Sequence, residues 1–310
     1  LNRSRFDAIG AYPYFDNVFY DTITTADTTK LMRFSHRIGV EYINKSQVIG
    51  AGVRQNFFQY QSYSPIIKHT EHELELWYKN KFNNLAVNSN FGFKINENGY
   101  ESFYFRNSFD YSSSSSSNVY SGLVNYFTTQ PELYYNSFYS NHFQWNRNSR
   151  LNSVLQLDGK LRNKKMQATV GLHFESHSDA IYFDVNSNMA QTKISTIRFE
   201  VAKTINFARW LALNTQIFVQ DIQANKEIEV PNFVTFNKLY FKGRLIKKTL
   251  YFETGINVLY FSSFNSKAYN PALDQFHLQS SQKVGNYPIV DFFAEFYLKK
   301  SFSFFAKVAH

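Results

Sequence analysis

There is no cysteine among the 310 residues, and only 12 glycines and 6 prolines. Without cysteine, neither a disulfide framework nor a thiolate metal site can be built. So few glycines and prolines also remove the turn signals that a β-sandwich shows about every 8–12 residues. No apolar run approaches the roughly 18 residues of a membrane helix, and helical periodicity is absent, so any crossing of a bilayer falls to strands. GxSxG, HExxH and glycine-rich phosphate loops are missing, and the 8 histidines are scattered. The reading is therefore of a non-enzyme, with no catalytic residue, cofactor or metal ligand assigned. The chain starts at Leu1 with no basic-then-apolar leader, so a mature or truncated piece of a longer protein is expected.

What the chain has in quantity is aromatic residues, 33 Phe and 22 Tyr, and alternation. From 232 to 262, Leu239, Phe241 and Leu245 alternate with Lys238, Tyr240, Lys242 and Arg244. On the second arm Leu250, Phe252, Ile256 and Val258 alternate with Tyr251, Glu253, Gly255 and Asn257. Period two means strand, and only Lys247 and Lys248 separate the arms, which makes a hairpin. Each arm exceeds about 10 residues, when globular strands run to about 5 or 6 and membrane strands need about 9–11. The mean hydropathy of -0.39 suits a barrel, half of whose strand residues are polar.

The same pattern recurs in 31–42, 49–57, 70–78, 85–95, 100–111 and 118–127. Further strands are expected at 138–146, 151–161, 166–175, 180–184, 194–205 and 210–220, and a last hairpin turns at 299–300. That makes 16 strands from 31 onward, and one in 3–14 makes 17. Short connections near 43–47, 81–84, 112–117, 147–150, 176–179, 206–209, 247–248 and 299–300 alternate with mostly longer ones near 61–70, 96–99, 128–137, 162–165, 185–193, 221–231 and 263–286. Short turns at one end and long loops at the other mark an outer-membrane barrel, with the short end periplasmic. A soluble sandwich also alternates, but it does not explain the strand length or the sided loops. The expectation is one all-β domain over 1–310, a transmembrane antiparallel up-and-down β-barrel of about 16–18 strands. An odd, open barrel would leave an unpaired edge in lipid, so at least one further strand is expected.

A net charge of +9 raises nucleic acid as a partner. The aromatics, however, share the apolar face instead of interleaving with a basic stripe, so nucleic acid is not expected. Candidate lumen-facing residues on the clearest strands are Arg33, Arg37, Glu41, Arg54, Glu71, Glu73, Glu75, Lys242, Arg244, Glu253, Asp291 and Glu295. On the polar side of the clearest strands, eleven basic residues are counted against eleven acidic ones. The surplus lies in turns, among them Lys45, Lys81, Arg147, Arg150, Lys164 and Lys165, where it suits anionic lipid head groups and lipopolysaccharide. The densest cluster, HTEHELE from 69 to 75, could hold a hard cation on Glu71, Glu73 and Glu75. More simply, it is a solvated wall facing basic strands, with His72 turned away.

Asn270-Pro271-Ala272, Gln275-Phe276-His277-Leu278-Gln279, Lys283-Val284-Gly285-Asn286-Tyr287-Pro288 and Asp291-Phe292-Phe293 resemble the end of the Putative porin family of Bacteroidetes outer membranes. Pro131-Glu132-Leu133-Tyr134-Tyr135 and the run from Tyr139 to Trp145 are similar to an internal segment of the same family. The resemblance implies a large outer-membrane barrel and no catalytic or binding residue. Members are longer at both ends, whereas this chain stops at His310. A passive channel is the first expectation. A plugged accessory barrel with envelope protein partners, such as a secretion machine, is the second, and an outer-membrane hydrolase the third. Bulky Phe293, Tyr297 and Phe305 on the polar face favour a filled lumen.

Overall fold

The structure, a computed structural model, describes residues 17–20, 28–62, 66–97, 99, 101–113, 115–224, 229–246, 249–298 and 302–309. In chain order the first strands are β1 (Lys30–Asn44), β2 (Gln47–Gln61), β3 (Ile67–Phe82), β4 (Leu85–Asn96), β5 (Glu101–Ser112) and β6 (Asn118–Thr129). A single helical turn, α1 (Leu133–Asn136), leads to a small hairpin of β7 (Ser137–Tyr139) and β8 (Gln144–Asn146). Then come β9 (Asn152–Asn163), β10 (Ala168–Phe183), β11 (Met189–Asn206), β12 (Leu211–Gln223), β13 (Phe233–Ile246) and β14 (Leu250–Phe261). The short strands β15 (Phe264–Asn265), β16 (Ala268–Asn270), β17 (Gln275–His277) and β18 (Lys283–Val284) precede β19 (Ile289–Leu298) and β20 (Phe302–Val308).

Fourteen of these strands form one antiparallel sheet in which β6 pairs β9 and β14 pairs β19, every other neighbour being consecutive in the chain. That is up-and-down order, and within the described residues β1 and β20 each pair on one side only. Among the described residues no second large sheet covers the apolar face. Ile38 is 76% exposed, Val40 73% and Phe292 62%, and leaving such side chains in water forfeits about 1.5–3 kcal/mol each. Lipid is the solvent that makes this face stable. The fold is that of a membrane-spanning β-barrel wall.

Among the described residues from 31 onward the large sheet has fourteen strands, not sixteen, and the two corrections share a cause: polar residues satisfied away from the ladder. Residues 138–146 alternate, but Phe138 and Trp145 turn toward each other, 4.6 Å between ring centroids. Ser140 caps the loop, its Oγ accepting from Phe143 N at 3.0 Å. The segment is thus part of a long connection, 130–151. Residues 166–175 and 180–184 form one strand, β10, with a bulge between His177 and Ala180. There Ser178 Oγ accepts from Ser153 N at 2.9 Å, and Asp179 N donates to Asn152 Oδ1 at 3.1 Å. No turn exists at 176–179.

Two extra strands cancel in parity, so the sidedness survives, but its membership changes. Residues 147–150, with Arg147 and Arg150, belong to the long-loop end. The connection at 164–167, with Lys164 and Lys165, belongs to the short-turn end. The strand expected in 3–14 and the turns at 247–248 and 299–300 lie outside the described residues.

Candidate functional site

The polar face of β1–β4 holds the most tightly knit charges. Cross-strand pairing sets Arg37 opposite Arg54 and Arg54 opposite Glu73. Like charges placed opposite each other repel, and Glu75 relieves this by binding both, Arg37 Nε at 2.5 Å and Arg54 Nη2 at 2.6 Å. Lys94, opposite Glu73, approaches its carboxylate at 3.8 Å. Glu73 and Glu75 are 2% and 3% exposed, whereas Leu74 and Leu76 are 48% and 45% exposed. Glu73 and Glu75 are therefore packed among cations and not solvated, while Glu71 is only partly buried. His72 is exposed on the other face, as its parity requires. Glu71 accepts from Asn56 Nδ2 and meets His69 Nε2, each at 3.4 Å.

Trp77 completes this patch, and alternation did not single it out. Its indole lies over Gly39, Gly50 and Gly52, where a Cβ on Gly50 would fall within the ring's own volume. The Trp77 Nε1–H donates to Glu41 at 2.8 Å, and the Arg37 guanidinium sits 4.6 Å from the ring centre. Three of only 12 glycines packed into Gly39–Gly52 were the legible signal, because an aromatic laid across a glycine gap is a common device of curved sheets.

The remaining candidates separate into smaller groups. Arg33 lies 5.2 Å from the Phe58 ring. Glu253 and Glu295 are cross-strand partners held by Lys238, at 3.2 and 3.9 Å, which also sits 4.4 Å from the Phe293 ring centre. Asp291 binds Lys307 at 2.7 Å. Lys242 is paired in register with Glu253 but donates to Asn206 at 3.0 Å. Arg244 joins none of these groups. Phe293 is 3% exposed, while Tyr297 and Phe305 are 40% and 57% exposed, so only the first fills space. A further chain of contacts runs along β9–β10: Asp158 to His173 at 2.6 Å, then Glu175 to His177 at 2.7 Å, with His173 3.5 Å from Glu175. Among the described residues, no cluster of three or more His, Asp or Glu has metal-binding geometry.

At the long-loop end, the 130–151 connection folds onto the polar face instead of standing clear of the sheet. Phe138, Phe183, Met189 and Leu273 form a buried cluster with Tyr134, Tyr135, Phe143, Trp145 and Ile181 around it. Hydrogen bonds tie this segment to three other parts of the chain. Tyr139 N donates to Ser62 Oγ at 3.1 Å, Tyr134 OH to Leu273 O at 2.8 Å and Arg147 Nη1 to Met189 O at 2.7 Å. Between the segment and β3 lies a cavity of about 380 Å³ lined by Ile67, His69, Gln130, Asn136, Asn146 and Arg147 among others. Burial pushes the Tyr135 phenol above its ordinary value, with the Glu132 carboxylate adding to the shift.

A family model described as Putative porin matches residues 2–310. The chain belongs to that family. Among curated proteins, none matches this family member. Several solved structures share its fold. One is the Q482A mutant of the ferric enterobactin receptor PfeA from Pseudomonas aeruginosa in complex with enterobactin. It is 9% identical, with a TM-score of 0.67 over 92% of this chain and 49% of that one. The siderophore receptor PirA from Acinetobacter baumannii gives 0.63 at 10% identity over 96% and 52%. The FrpB iron transporter from Neisseria meningitidis gives 0.62 at 7% identity over 87% and 48%. The Putative porin chain spans about half the length of these structures.

Proposed function

We propose that this chain forms the wall of an outer-membrane channel through which small solutes diffuse passively. The observation that carries the reading is the two-faced sheet. Its apolar face is exposed, and its polar face carries cations and carboxylates joined to each other, as an aqueous lumen wall requires. The twelve lumen candidates are assigned to that wall, and outer-membrane lipid and lipopolysaccharide to the apolar face and its basic short turns. Family membership supports a transport role. The likeness to siderophore receptors admits ligand-gated uptake as the neighbouring alternative.

A specific observation favours a second reading, of a plugged accessory barrel: the 130–151 segment packs on the polar face. Planar-bilayer recording separates the two. The channel reading expects stepwise ion conductance that grows linearly with salt concentration, without energy or ligand. A membrane-inserted protein that never conducts would overturn it in favour of the plugged barrel, and conductance that depends on a bound ligand would favour the receptor alternative.

A further inference from the structure

We infer that the cavity under the 130–151 connection is a binding site for a small organic oxyanion, a carboxylate or phosphate ester on a scaffold about the size of one sugar ring. The inference rests on the channel reading for its role, as the point where such a solute is captured before transit, but not for its chemistry. The volume, about 380 Å³, falls within the roughly 300–1,000 Å³ of small-molecule sites.

The lining sets the charge and polarity of the ligand. Gln130 uses its amide oxygen to accept from Asn96 Nδ2 at 2.9 Å, and Asn136 uses its own to accept from Ser149 N at 3.1 Å. With both oxygens engaged, each side chain is fixed in orientation, and its NH2 group has no acceptor among the described residues. Arg147 is held by its backbone N–H to Asn136 O at 2.7 Å and by Nη1 to Met189 O. No carboxylate among the described residues pairs with its guanidinium, in contrast to Arg150, which binds Asp179 at 2.8 Å. Among the described residues that line the cavity there is no Asp or Glu. Glu71, two residues along β3 from the lining His69, is itself engaged by His69 and Asn56. Fixed donors around one uncompensated planar cation are what a carboxylate or phosphate needs, and they offer little to a cation or to a ligand rich in donors. The anchors to Ser62, Met189 and Leu273 hold the donors in place before the ligand arrives, which lowers the ordering cost of binding.

The test is isothermal titration calorimetry on the detergent-purified protein at constant ionic strength, with glucose, glucuronate and glucose 6-phosphate as probes sharing one ring. Saturable binding of glucuronate or glucose 6-phosphate, at least tenfold tighter than glucose, is expected. Arg147→Gln should weaken it at least tenfold, and Gln130→Leu should weaken it while leaving the main-chain anchors of Arg147 intact. Equal binding of glucose and the anions, no saturable binding, or anion binding unchanged in both variants would overturn the inference. Bilayer recording keeps the two readings apart. Conductance without anion binding refutes the site and leaves the channel, whereas anion binding without conductance supports the site and refutes the channel.

Discussion

At the scale of single residues, the face a side chain occupies decides its cost. Ile256 lies mid-strand on β14 between Leu239 and Phe292, both turned outward, while its neighbours Gly255 and Asn257 share the face of Tyr240 and Asp291. Ile256→Arg is expected to destabilise the folded protein by about 2–4 kcal/mol, as for a charge at the bilayer midplane. Asn257→Arg, on the polar face, should cost far less. Urea unfolding in lipid vesicles measures both, and equal costs would mean that the register is wrong. This assignment was readable from parity alone, because successive strand residues cannot share a face. The bond from Trp77 to Glu41 and the bridging of Arg37 and Arg54 by Glu75 were not readable. They depend on which residues of three strands stand side by side, and a one-residue change of register would part them.

At the scale of elements, the long-loop connections are held by a few polar contacts with a definite pH window. Glu229 accepts from Asn265 N at 3.0 Å, and this hydrogen bond, with a second from the Asn265 side chain, holds its carboxyl below the usual carboxylate range. A depressed folded value means that the contribution is present above the unfolded value, about 4.3, and is lost as pH falls through the folded one. Tyr135 is the opposite case. Its raised value leaves the neutral phenol favoured, and stability falls as pH rises past about 10. Proteolytic cleavage in 262–288 should therefore rise below about pH 4. Tryptophan emission should change above about pH 10, as Trp145 loses the surroundings it shares with Tyr134 and Tyr135. Cleavage independent of pH between about 3 and about 7 would show that Glu229 does not brace the loop. The strand pattern could not reveal this region. Phe138, Phe183 and Leu273 lie far apart in sequence, and a segment such as 138–146 alternates whether its apolar residues meet lipid or each other.

At the scale of the whole molecule, the wall pairs acid with base, so the sheet itself should discriminate little between ions. Preference then comes from the long-loop end, where Arg147 has no carboxylate partner among the described residues. Reversal potentials in a salt gradient are expected to lean toward anions for the native channel and to move toward zero for Arg147→Gln. A strong preference of either sign remaining in that variant would show that the wall charges are not balanced. In a bilayer the outer edges of β1 and β20 cannot stay unpaired, since each bare backbone group in hydrocarbon costs several kcal/mol.

Composition and period two by themselves determined that this is an all-β membrane wall, and which side chains share a face along its regular strands. These follow from local geometry and the solvent each face requires. The number of strands, the bulge in β10, the folding of 130–151 onto the polar face and the donor-lined cavity beneath it were decided only by tertiary structure. Each depends on contacts between residues distant in the chain, such as Tyr134 with Leu273 and Arg147 with Met189, whose energy no local pattern encodes.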